Sequence, residues 1–241
     1  MARFDALFNK DTQGIQFNGK VIRIVESDME IATMNITDSI EEQSIIENLL
    51  DEIKPRPVHS NKHYLLTTPF RYPPLKYGSR YGTTDMKSHF YAAKDPMTCL
   101  VECAYYRFMF LDHIQVTYDK PLNTNHLLFS CSVATKKALD LTSAQFKSIE
   151  NKITLPDDHS YTQKIGQWAC QNNGFDAIIF PSARHLEGVN YAITSIKNIK
   201  SRQPKVIERI SCVTTQDQVV FKFQSELISI STDVKQQKVS I

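Results

Sequence analysis

Glycine is scarce in this chain: seven in 241 residues, about 3% against a usual share of roughly 7%. The scarcity excludes whole classes of function. There is no G-x-G-x-x-G for a Rossmann dinucleotide site, no G-x-x-x-x-G-K-[ST] for a P-loop, and no G-x-S-x-G for a hydrolase elbow. Gly78 and Gly82 sit four apart, and Gly174 and Gly188 flank Phe175–Glu187, so two places in the chain call for unusual backbone.

Other absences narrow the field further. The five cysteines are odd in number and form no C-x-x-C pair. Cys99 and Cys103 are four apart, which puts them on one helical face as small buried hydrophobes rather than in a zinc knuckle. His59 and His63 have no evident third ligand, so no metal is expected. The apolar runs stop at about five residues, as in Ala177–Pro181, and Met1–Lys10 carries Arg3, Asp5 and Lys10. Neither a membrane span nor a secretory leader is therefore expected, and the expected setting is reducing cytoplasm. The net charge is only +2, and the basic stretch Lys197–Lys205 reads as a solvated turn, so direct nucleic-acid binding is not expected. At 41% hydrophobic, a chain of this length can build a core without disulfides.

What is present reads as α+β. Asn18-Gly19 between Ile15-Gln16-Phe17 and Val21–Val25 is a hairpin signal. Ile36, Ile40, Ile45, Ile46, Leu49, Leu50 and Ile53 recur at helical spacing, Ser39 and Glu42 form a capping box, and Pro55 and Pro57 stop the helix. Its apolar stripe is free to dock on the same chain or on another subunit. Tyr64-Leu65-Leu66 and the proline-stiffened Pro69–Pro74 are expected to be extended. Asp95 as N-cap and Pro96 at the first helical position open a helix over Met97–Phe110. Further expectations are a strand at Leu127–Ala134, helices at Thr142–Asn151 and Tyr161–Asn172, and a left-handed cap at Asn173-Gly174. Strands follow at Ala177–Phe180, Val189–Thr194 and Val219–Phe223. Strands and helices mix without regular βαβ alternation. The organisation expected is an N-terminal extension over 1–57, a main domain over 58–228 and a mobile tail over 229–241.

Four places concentrate residues suited to chemistry. In Phe70-Arg71-Tyr72-Pro73-Pro74, Arg71 on stiffened backbone suits an anion, because a guanidinium grips phosphate with two parallel bonds. In Gly78-Ser79-Arg80-Tyr81-Gly82, the loop amides and Arg80 suit an anion, and a plain turn explains the glycines equally well. Phe90-Tyr91-Ala92-Ala93 precedes Glu102, a carboxylate in an apolar helical stretch that must be either paired in a cleft or exposed. Phe180-Pro181-Ser182-Ala183-Arg184 ends an apolar strand shortly before Asn190. With no activating base evident, Ser182 is a hydroxyl anchor rather than a nucleophile.

Taken in order, these elements resemble the RES-domain family, named for its Arg, Glu and Ser and known for toxins of toxin–antitoxin pairs. The similarity runs from about Thr68 to Thr194, and the segment around Arg23–Ser27 looks like an extension carried by one branch of the family. The resemblance implies an ADP-ribosyltransferase-like fold that binds and cleaves NAD as its substrate, with no metal. It implies an antitoxin partner, in a toxin–antitoxin hetero-oligomer or alongside a homodimer. Glu102 matches the family glutamate, Ser182 the serine and Tyr91 the upstream tyrosine; Arg71 and Arg80 both fall where the family has arginines, and Tyr72 and Asn190 are secondary. One departure is Gly78-Ser79-Arg80-Tyr81-Gly82 in place of the commoner G-G-R-W-N. With so few glycines, an NAD site here must grip phosphates with arginine side chains. Water, phosphate or a protein side chain is the acceptor, so NAD glycohydrolase or phosphorylase, mono-ADP-ribosyltransferase and a non-catalytic interaction module are the readings to separate.

Overall fold

The computed structural model describes residues 6–27, 60–71, 76, 78–113 and 120–240, with positions 39, 41, 42, 45 and 49. Among them, eight strands form one mixed sheet: β1 (Ile15–Glu26), β2 (Phe90–Ala93), β3 (Leu122–Asp140), β4 (Ala177–Pro181), β5 (Val189–Ile193), β6 (Lys205–Thr214), β7 (Gln218–Phe223) and β8 (Glu226–Ser231). The order is β1-β2-β5-β4-β3-β6-β7-β8, and a further β1–β3 pairing closes the first five into a ring. The helices are α1 (Tyr64–Arg71), α2 (Pro96–His113), α3 (Glu150–Ile153) and α4 (Ser160–Gly166), with short 3-10 turns between elements. The fold is α+β, as expected. No described helix is long and apolar enough to cross a membrane.

Three apolar cores explain the arrangement. Val21, Phe90, Phe129, Ala177 and Tyr191, one from each ring strand, pack with Leu66 of α1. A second core sets Leu100, Ala104 and Phe108 of α2 against Leu128, Ile210, Phe221 and Ile230. A third joins Ile153 and Ile165 to Ile178, Phe180 and Ala192. In β4, Ala177 and Ile179 thus face one core while Ile178 and Phe180 face another. A strand buried on both faces reads as an unbroken apolar run, which is why this one was legible. Each such side chain contributes about 1.5–3 kcal/mol on burial.

Two local expectations fail. Asn18-Gly19 is no hairpin turn: β1 runs straight through it, with Asn18 opposite Ala134 and Gly19 opposite Val133 in an antiparallel ladder that extends to Glu26↔His126. A long ladder with β3 outweighs a two-residue turn preference. Tyr64–Leu66 and Pro69–Arg71 are not extended but helical, with Pro69 inside α1. The helix survives its proline because Leu66 and Phe70, four apart, bury against the ring core and the Thr68 hydroxyl donates to the Tyr64 carbonyl at 2.8 Å. Its described residues run to Arg71. Tyr72–Leu75 lie outside the described residues.

The other elements lie close to expectation. Thr98 N–H donates to Asp95 Oδ1 at 2.8 Å, confirming the cap of α2. The expected helix at 142–151 is a 3-10 turn, Ala144–Ile149, continued by α3. That at 161–172 is α4 followed by a π turn, Gln167–Asn172, with Gly174 at φ 64. Most of the amphipathic arm helix lies outside the described residues; Glu42 N–H donates to Ser39 Oγ at 3.1 Å as its capping box requires. β1 as a whole, β2, β6 and β8 were not anticipated as strands. The described cysteines are free.

Candidate active site

Glu102 sits in the second turn of α2. Its Oε1 accepts two hydrogen bonds, from Ser182 Oγ at 2.6 Å and from Asn190 Nδ2 at 2.6 Å. These donors come from the residue after β4 and from β5, whose pairing sets Phe180 opposite Asn190 and Ala93 opposite the same residue. Two adjacent strands and one helix therefore meet at a single carboxylate oxygen. Oε2 has no hydrogen-bond partner among the described residues. A carboxylate so held is fixed in orientation by one oxygen and open for chemistry through the other.

Ser182 is fully buried, and its hydroxyl is saturated. The proton goes to Glu102, while the oxygen accepts the backbone N–H groups of Arg184 (3.1 Å) and His185 (2.9 Å). A hydroxyl has one donor and two lone pairs. Ser182 thus positions Glu102, and nothing remains on it for a ligand in this arrangement.

Tyr91 lies on β2. Its phenol is 2.9 Å from Ser79 Oγ and accepts the Tyr81 N–H at 3.1 Å. Burial pushes the phenol up to about 12, so it stays protonated at neutral pH. Tyr91 thereby grips the 78–82 loop. That loop turns on Gly78, at φ 69, where a Cβ would stand 2.4 Å from the Gly82 carbonyl. Three of its amides are spent within the site: Ser79 N–H goes to Gly82 O, Tyr81 N–H to Tyr91 and Gly82 N–H to Ser79 Oγ. The loop packs on α4 at Gly166, where a Cβ would meet the Tyr81 carbonyl at 1.8 Å.

Arg80 projects from this loop and donates to the carbonyls of Ile153 (3.2 Å), Leu155 (3.0 Å) and Pro156 (3.3 Å). Three acceptors leave part of the five-donor fork unused. Arg184, which the sequence reading placed in a motif but gave no role, meets it there. Its Nη2 donates to the same Pro156 carbonyl at 2.7 Å, and its guanidinium stacks on the Tyr105 ring at 3.5 Å. Arg184 Nε and Nη1 are buried without a partner, and burial lowers its pKa. Tyr105 in turn bonds Asp157, so α2 is tied to the loop that both arginines hold. His159 lies close by; burial first, and then the charge of Arg80, push it down to about 4. Two cations and a neutral histidine make this wall positive, with Asp157 at 4.0 Å from Arg184 and the Glu102 carboxylate as counter-charges.

The structure thus brings Glu102, Ser182 and Asn190 together, sets Tyr91 against the 78–82 loop, and places Arg80 beside Arg184 at the Pro156 carbonyl. Arg71 ends α1 with its side chain outside the described residues, as is Tyr72 entirely. Ser79, Tyr105 and Arg184 were given no role; Ser79 and Arg184 carried a signal, each lying inside a motif quoted for its neighbours. No group of three or more His, Cys, Asp or Glu suited to a metal occurs among the described residues.

The family profile for the RES domain matches residues 54–211. The chain belongs to that family. Its similarity to solved structures includes the M. tuberculosis MbcT–MbcA toxin–antitoxin complex, at 16% identity and a TM-score of 0.48, covering 83% of this chain and 87% of the other. No curated protein matches by sequence.

Proposed function

We propose that this chain is a RES-type toxin that cleaves NAD at the nicotinamide–ribose bond, with water or inorganic phosphate as acceptor, and that an antitoxin neutralises it. The observation that carries the reading is the Glu102 carboxylate, anchored through Oε1 with Oε2 left open. Breaking the C1′–N bond sends its electron pair to the nicotinamide, which leaves neutral, and develops oxocarbenium character on the ribose. A fixed anion stabilises that charge without reorganising. Glu102 Oε2 then takes the proton that a water or phosphate acceptor loses as it adds to C1′.

The remaining residues supply binding. Arg80, with donors to spare, faces the pyrophosphate, and Arg71 is assigned the same task from the family motif. The Tyr91 ring, held by its phenol, flanks the flat nicotinamide cation. Tyr72 is a further binding candidate from the motif. Ser182 and Asn190 hold Glu102. The antitoxin rests on family membership.

The deciding experiment follows NAD by NMR with purified chain freed of any antitoxin, in buffers with and without phosphate. Nicotinamide should appear; a phosphorylated ribose product in phosphate buffer identifies phosphate as acceptor, and free ADP-ribose identifies water. Loss of NAD only with lysate present, together with ADP-ribose label on a protein, would replace this reading by mono-ADP-ribosyl transfer. No turnover under any condition would leave a non-catalytic binding module.

A further inference from the structure

The loop that carries Ser182 is held from two sides. It closes on itself through Ser182 N–H to Gly188 O (2.7 Å) and Gly188 N–H to His185 O (3.1 Å). On one side His185 Nδ1 lies 2.9 Å from Thr98 Oγ1, whose own proton goes to Asp95 at 2.8 Å, so the loop is tied to the capped start of the Glu102 helix. On the other side it is tied to the C-terminal residues. Val239 N–H donates to Arg184 O at 2.7 Å, and Leu186 N–H donates to Val239 O at 2.8 Å, a parallel bridge centred on His185. The Val239 side chain packs against the core that includes α2. Its neighbour Lys238 pairs with Glu150 Oε1 at 3.2 Å.

The geometry points to Val239 as a positioning residue for Glu102, acting through the 184–186 backbone and the Ser182 hydroxyl. Arg184 and His185 supply the two N–H groups that orient that hydroxyl, and Val239 bonds the carbonyl of the first and brackets the second. The tail segment is therefore a strap over the site loop, built from main-chain bonds that depend on no particular side chain. Releasing it lets Ser182 turn, and Glu102 Oε1 loses one of its two anchors. Oε2 then samples positions away from the reacting carbon, and displacements of this kind cost rate rather than binding. Arg80 is attached elsewhere, at Ile153–Pro156, and Arg184, though on the bridged loop, is pinned through its side chain to the Pro156 carbonyl and the Tyr105 ring. This inference rests on the reading of Glu102 as the carboxylate that acts on NAD.

The test uses the full chain and Val239→Pro, which removes the N–H, beside Val239→Ala, which keeps both main-chain bonds. Val239→Pro should lower kcat for NAD loss by about tenfold or more with KM within about twofold, and Val239→Ala should restore wild-type kcat. Amide exchange at Arg184 and Leu186 should quicken by about tenfold in Val239→Pro alone. Circular dichroism and thermal melting check the fold; if Val239→Pro does not fold, Leu186→Pro cuts the other bond of the same bridge and carries the comparison. Unchanged kcat with a broken bridge, or an equal loss in Val239→Ala, overturns the assignment, as does unchanged exchange at 184–186. If the wild-type chain leaves NAD intact, it is the NAD reading that fails, and the exchange measurement still decides whether Val239 holds the loop.

Discussion

The cluster around the Glu102 carboxylate and the arginine wall beside it are built on opposite plans. Around Glu102 the polar groups close on one another: Ser182 uses its donor and both lone pairs, and Asn190 Nδ2 donates to the same oxygen. Along the wall the donors outnumber their acceptors. Arg80 and Arg184 share the Pro156 carbonyl, and Arg184 keeps Nε and Nη1 unpaired. A saturated cluster fixes one reactive oxygen, whereas an under-satisfied cationic wall is arranged for charge that arrives with a substrate. On the proposed NAD-cleaving reading, the difference gives chemistry to one region and binding to the other.

The largest effect that would test this division is at Glu102. Glu102→Gln keeps an oxygen for Ser182 and Asn190 but removes the charge, so kcat for NAD loss should fall by about 10²–10³-fold with the melting temperature nearly unchanged. A comparable rise in KM instead would erase the contrast between the two regions. Next in size is Arg80→Ala, expected to weaken NAD binding by about 1.5–3 kcal/mol, read as KM with kcat changed far less. A loss confined to kcat would move Arg80 into the chemistry.

The smallest effect concerns the neutral histidine of the wall. The folded chain holds His159 near 4 against 6.5 when unfolded. Between those values the unfolded chain binds the extra proton, so stability is complete above about pH 6.5 and falls as the pH drops towards 4. For a half-buried group the contribution is about 1 kcal/mol after solvent screening. Thermal melts at pH 7 and pH 4.5 should show a smaller difference in His159→Asn than in the wild type. An equal difference would mean that the wall does not hold His159 neutral.

Legibility in the sequence followed the range of the interactions. The cap and length of α2 were readable because Asp95, Pro96 and Thr98 act within one turn. β4 was readable because burial on both faces leaves an unbroken apolar run. α1 was misread because the prolines from Pro69 onward argue for extended backbone locally, while packing of Leu66 and Phe70 on the ring decides for helix. At the site, Glu102, Ser182 and Asn190 were named from ordered motifs, but their partnership was not. Ser182 and Asn190 lie 80 and 88 residues from Glu102 in the chain.

Taken by itself, the sequence determined the α+β class, the RES family and the residues that carry its pattern, because each rests on local spacing or on the identity and order of a few side chains. It also required that any phosphate grip come from arginines, since the glycines for a phosphate loop are absent. Only the tertiary structure decided that β1 runs unbroken beside β3, that Ser182 spends its hydroxyl on Glu102, that Arg80 and Arg184 meet at one carbonyl, and that Val239 bridges the site loop. Those outcomes depend on which distant segments the three cores bring together. Hydrogen-bond capacity, filled at the carboxylate and left over on the wall, is settled only once those neighbours are in place.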